Sequence, residues 1–167
     1  MNKAQRFNTT NKSKKGFYVI QNPEKYIGDP ANIMYMSSWE HRFMIYCDHT
    51  EAIVKWGSEC MFIPYIMEKK NPETGAIKKT NHKYYPDFYM EVLAGNEIKK
   101  YIVEIKPSNE TVPPVAPKSF TTKSMRNFEY SITAYEKNMY KWSKAKEYCD
   151  ARGLIFKLIT EKDLNIK

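Results

Sequence analysis

Asp87 and Glu104 stand with sixteen residues between them, and Lys106 follows two positions after Glu104. Two carboxylates and an ammonium are residue types that hold a divalent cation and act on a phosphate ester, provided the fold brings them together. Between them lie two alternating runs, residues 87–93 and 98–106, around Ala94-Gly95-Asn96-Glu97, which is a hairpin pattern. With Gly95 and Asn96 as the two turn residues, Glu91 faces Lys100 as an ordinary ion pair and Asp87 falls directly opposite Glu104. Side chains alternate with period two, so Lys106 shares their face. A three-residue loop would make the carboxylates diagonal rather than opposed, still near each other.

Two ionised carboxylates about 5 Å apart repel by roughly 3 kcal/mol at an effective dielectric of ~20, and like charges directly opposite destabilise a sheet. Stability alone does not select such a pair. A Mg²⁺ or Mn²⁺ ion relieves the repulsion, because paired carboxylate oxygens are its expected ligands. The competing reading is a solvated sheet face on which Lys106 simply pairs with a carboxylate. The apolar neighbours of the triad favour the metal site.

The elements that must position this face are legible in outline. Ser37-Ser38-Trp39-Glu40 forms a capping box, and Trp39, Phe43 and Tyr46-Cys47 recur on one face, predicting a helix over residues 38–48. Strands are expected near residues 53–56 and 61–67, with Pro64 marking an edge or a strand end. Asn71-Pro72-Glu73-Thr74-Gly75 is a strong turn that reverses the chain into residues 76–85. Residues 107–127 carry Pro107, Pro113, Pro114 and Pro117 and read as a long irregular connection. A second helical pattern covers residues 128–151, Gly153 is placed to end it, and residues 154–159 form a last strand. Ahead of all this, residues 17–36 contain Asn22-Pro23 and Gly28-Asp29-Pro30, turn signals that leave little room for regular structure. The expected class is α+β, or mixed α/β, with residues 1–36 a basic arm and lead-in and residues 37–167 a single domain.

Composition bounds the function. The 167 residues are 42% hydrophobic and 14% aromatic, too apolar for a disordered chain, and the mean hydropathy of −0.67 is too polar for a membrane protein. No apolar run approaches the ~18 residues of a membrane span. Twenty-seven Lys and Arg against nineteen Asp and Glu give a net charge of +8, which favours a polyanion, nucleic acid first and an anionic lipid surface second. Cys47, Cys60 and Cys149 are odd in number and irregular in spacing, so free thiols in a reducing, cytoplasmic compartment are expected; His41 and His49 near Cys47 lack the regular ligand spacing of a zinc site. Residues 1–15 carry Lys3, Arg6, Lys12, Lys14 and Lys15 with no acid and no apolar core, which reads as a basic arm rather than a secretory signal.

Pro86-Asp87, sixteen residues, and then Glu104-Ile105-Lys106 resemble the PD-(D/E)xK signature of the restriction-endonuclease-like nucleases, whose core is a central mixed sheet of αβββαβ order flanked by helices. The wider pattern is similar to TnsA-type transposon endonucleases and, more closely, to the head-completion nucleases of tailed phages. It includes Tyr18, Asn22-Pro23-Glu24-Lys25-Tyr26, Gly28-Asp29-Pro30, Tyr35 to Glu40, Tyr84 to Phe88, Val103 to Pro107, Asn138, Lys141-Trp142 and Ile159-Thr160-Glu161. The resemblance implies that Asp87, Glu104 and the carbonyl of Ile105 hold the metal and that Lys106 positions or activates the attacking water. It implies that Glu40 completes the acidic cluster, a role that competes with its use as a helix cap. Lys141 either faces the scissile phosphate or is a solvated neighbour of Trp142, and His82 is more simply a surface loop histidine.

The expected reaction is Mg²⁺- or Mn²⁺-assisted hydrolysis of double-stranded DNA. Lys12, Lys14, Lys15, Lys118, Lys123, Arg126 and Lys141 are expected to meet phosphates. No base-reading motif is visible, which favours structure- or end-selective cutting. The resemblance further implies action on packaged phage DNA at head completion and head-tail joining, in the host cytoplasm or at the virion head, with neck or portal proteins as partners. A transposon-end endonuclease, or a DNA-binding virion structural protein with an unused nuclease fold, are the alternatives.

Overall fold

The computed structural model describes residues 15–164. In chain order, β1 (Gly16–Tyr18) and β2 (Ile33–Tyr35) precede α1 (Ser38–His49) and β3 (Ile53–Ser58). A ribbon of β4 (Ile63–Lys70) and β5 (Ile77–Tyr84) follows, then β6 (Phe88–Ala94), β7 (Glu97–Ile105), α2 (Thr122–Asp150) and β8 (Ile155–Ile159). The main sheet has the order β3-β6-β7-β8, antiparallel except for the parallel β7-β8 pair that α2 connects. Without the ribbon the sequence of elements from α1 onward is αβββαβ.

Side-chain alternation along β7 divides the core. Val103 and Ile105 point to the side of α1, where Phe43, Met44, Cys47, Trp56 and Phe88 are buried. Ile102 points to the side of α2, against Trp142, Ala145 and Cys149. Each helix therefore covers one sheet face, and among the described residues no helix is long and apolar enough to cross a membrane.

The 94–97 turn is the expected two-residue hairpin, with Gly95 at φ 65, and the register pairs Ala94 with Glu97, Glu91 with Lys100 and Phe88 with Val103. Lys100 and Glu91 form the predicted ion pair at 3.5 Å.

Two expectations need correction. The lead-in is more regular than its turn dipeptides imply: β1 pairs with β2, and Tyr18 and Ile33 are buried in the core beneath α1. Buried Asp48, at the end of α1, holds it. Its carboxylate accepts from the Tyr18 hydroxyl (2.6 Å), the amides of Gln21 (2.8 Å) and Asn22 (2.9 Å), and the Asn22 side chain (3.1 Å). Lys25 donates to the carbonyls of Asp48 and Thr50, a cation satisfying orphan acceptors at a helix C-terminus.

Second, α2 starts at Thr122, not near residue 128, because Thr121 caps it by accepting from the Ser124 amide at 3.2 Å. Its first turns are largely exposed, so they lack the apolar period that marks a packed helix. Lys123 and Arg126 thus lie on this helix rather than in the irregular connection. The turn at residues 71–75 does reverse the chain, and among the described strands β4 and β5 pair with each other as a two-stranded ribbon apart from the main sheet.

Candidate active site

Asp87 lies one residue before β6, where the hairpin register continues to Glu104. Its main chain is fixed by buried Pro86 and by its carbonyl accepting from the Glu59 amide at 3.0 Å. Its carboxylate accepts from the Ile105 amide at 2.7 Å, which ties the start of β6 to the end of β7. Glu104 is 2% exposed. Its Oε2 accepts from the Tyr84 hydroxyl at 2.6 Å, and its Oε1 lies 3.1 Å from Lys106 Nζ. Behind Lys106, its amide donates to the Ile159 carbonyl, and Glu161 accepts from both the amide and hydroxyl of Ser108. The Ile159-Thr160-Glu161 stretch therefore anchors the chain just beyond the lysine.

The electrostatics bear out the conflict read from the hairpin. Burial, and then the charge of Glu104, push the Asp87 carboxyl up to about 7, although the Ile105 amide and Lys106 act the other way. Burial pulls the Lys106 ammonium down, Glu104 and Asp87 push it up, and the carboxylates win. Burial raises the Tyr84 hydroxyl, reinforced by Glu104, so the tyrosine remains a donor.

Glu40 makes the capping box: its carboxylate accepts from the Met36 amide (2.7 Å) and the Ser37 hydroxyl (2.9 Å), and its amide donates to Ser37 Oγ. Its charge nonetheless acts on Asp87, raising it further. Glu40 is thus seated as a cap, and what reaches Asp87 is its charge. Lys141 comes to the site from α2, with Nζ 5.1 Å from the Tyr84 ring centre, and burial lowers its ammonium despite the pull of Glu104. Its ammonium thus lies beside the tyrosine that bonds Glu104.

Of the remaining basic candidates, Lys15, Lys118, Lys123 and Arg126 are exposed, and Lys12 and Lys14 lie outside the described residues. His82 stands on β5 within the ribbon, not in a loop, and bonds Thr80 at 2.8 Å. Sequence reasoning missed the chemical use of Tyr84. Its signal was available: a tyrosine three residues before Asp87, on the strand feeding the hairpin.

Among the described residues, no three His, Cys, Asp or Glu side chains stand together as a ready metal cage. The donor set is two carboxylates with adjacent main chain. It fits a hard divalent cation, because oxygen donors suit Mg²⁺ and Mn²⁺ and the end of the hairpin brings two carboxylates to one place. Each Glu104 oxygen keeps a second lone pair beyond its present partner.

This αβββαβ core, with opposed carboxylates and a lysine at the hairpin's open end, defines a restriction-endonuclease-like nuclease domain. The chain belongs to the TnsA-like endonuclease family, whose N-terminal domain model matches residues 50–161. It is 35% identical over 149 residues to a head completion nuclease of Enterobacteria phage T4, an alignment covering 89% of this chain and 92% of that protein. No solved structure gives a significant match.

Proposed function

We propose that this nuclease hydrolyses phosphodiester bonds of double-stranded DNA with Mg²⁺ or Mn²⁺, and that it acts on packaged phage DNA during head completion. The convergence of Asp87, Glu104 and Lys106 at the end of one hairpin carries the chemical half of this reading. The phage half is supported by the head completion relative, whose alignment extends beyond the family-model match at residues 50–161. On this reading, the protein meets its substrate in the host cytoplasm at the virion head, beside neck or portal proteins.

Asp87, Glu104 and the Ile105 carbonyl would hold the cation, which when bound polarises the phosphate and lowers the pKa of an attacking water. Lys106 supplies a fixed positive charge where the phosphoryl oxygens gain negative charge. Its contact with Glu104 keeps it aimed at the pair. Lys141, half-buried beside Tyr84, adds a second cation for the phosphate on the α2 side. Tyr84 and the Ile105 amide orient the two carboxylates, so little reorganisation is needed when DNA arrives.

Plasmid nicking with and without Mg²⁺ tests the reading. Asp87→Ala and Glu104→Ala should each lower the metal-dependent rate by at least about a hundredfold. Undiminished cleavage by both variants would exclude this site as the catalytic one. Recovery of the protein with filled heads tests the phage assignment separately; recovery with a transposase instead would favour a transposon-end role.

A further inference from the structure

We infer that the β4-β5 ribbon is a DNA-binding arm that lies along the duplex to one side of the cut; the inference rests on the nuclease reading for its ligand. The ribbon's root is packed: Ile63, Tyr65 and Tyr84 are buried, and the Tyr140 hydroxyl of α2 donates to the Ile66 carbonyl at 2.6 Å. Beyond Met67 and Thr80 both strands are exposed. A two-stranded ribbon alone is marginal in water, yet this one keeps full register to Lys70 and Ile77. Its turn is tightly built, with Asn71 Oδ1 accepting from the amides of Glu73 and Thr74 and Gly75 in the left-handed region at φ 68.

The charges at the tip are arranged against stability. Lys69 pairs directly opposite Lys78, on the same ribbon face as Tyr84 and Tyr65, and like charges in that relationship repel. Glu68 is occupied by Lys79 at 2.8 Å. Among the described residues, Lys69, Lys70 and Lys78 have no carboxylate partner. A polyanion relieves such a pair, as a dication relieves the Asp87 and Glu104 pair. From Tyr84, which touches Glu104, six residues lead back to Lys78, which is roughly 20 Å at ~3.3 Å per residue. Duplex phosphates on one strand advance ~3.4 Å per step, so the tip lysines would meet phosphates about six base pairs from the scissile bond.

The test uses the full-length protein in EDTA, with a fluorescent ~30-base-pair duplex titrated from about 50 to 200 mM salt. Replacing Lys69 and Lys78 by Gln should reduce the salt slope of binding by roughly 2 and weaken affinity by more than about tenfold at ~0.15 M salt. The protected footprint should shorten on one side only. The corresponding double Arg variant, which keeps the charge, should retain slope and footprint. An unchanged slope and footprint in the Gln variant would overturn the inference. Because no metal is present, the result stands apart from catalysis: absence of Mg²⁺-dependent cleavage by the unaltered protein would defeat the nuclease reading alone.

Discussion

The Tyr84 hydroxyl donates to Glu104 at 2.6 Å across the junction of the ribbon and the main sheet. It holds Oε2 while Lys106 holds Oε1, so the buried carboxylate has one orientation. Tyr84→Phe removes the donor and leaves the ring in place. Cleavage should fall roughly 10- to 100-fold, as for partners that orient metal ligands, and the concentration of Mn²⁺ needed for half-maximal rate should rise. A metal titration of the cleavage rate measures both effects.

Asp87 opposes stability for the sake of its site. Its folded pKa of about 7 lies above the ordinary 3.8, so between those values the native state binds more protons than the unfolded chain. Stability from this group is full at low pH and is lost as pH rises through about 7. Without metal, Asp87→Asn should therefore be more stable than the parent at pH 8, by on the order of 3 kcal/mol. The difference should vanish near pH 4. Urea unfolding in EDTA across this range checks the sign.

Asp48 gives the opposite dependence. Burial raises its carboxyl, but its hydrogen bonds from Tyr18, Gln21 and Asn22 outweigh burial and hold it below the usual range. Its contribution is present above the unfolded pKa and is lost as pH falls through the folded value. Asp48→Ala leaves the lead-in amides unpaired and should destabilise the protein by about 3 kcal/mol at pH 7. Chemical unfolding measures the loss, and protease sensitivity should rise first in residues 16–35.

Glu40 separates two jobs by substitution. Glu40→Gln keeps an oxygen acceptor for the Met36 amide, so stability should change by less than about 0.5 kcal/mol. Glu40→Ala should destabilise by about 1 kcal/mol, through loss of the cap. If its charge serves the acidic cluster, both variants lose cleavage, by about tenfold or more. Equal cleavage by Glu40→Gln and the parent would leave the residue a cap only.

Much of the site is legible because a hairpin is arithmetic. Once Gly95 and Asn96 are the turn, period two fixes the partners of every residue, and the observed Glu91 to Lys100 pair follows. The capping box at Ser37 and Glu40 is equally local. What escaped depends on contacts distant in sequence. Asp48 at the end of a helix gives no local sign that four donors from the lead-in converge on it. The exposed first turns of α2 carry no apolar period, and the ribbon looks like sheet because a strand pattern does not say which strand it will pair with.

In the proposed mechanism, Asp87 and Glu104 hold a divalent cation at the hairpin's end. Anomalous diffraction from a crystal soaked in Mn²⁺ tests it most directly. The expected result is a peak between the two carboxylates within ~2.3 Å of an oxygen from each, next to the Ile105 carbonyl, with Tyr84 still bound to Glu104. A saturating soak that leaves this position empty, with Lys106 still paired to Glu104 and Mn²⁺ bound elsewhere, would contradict it.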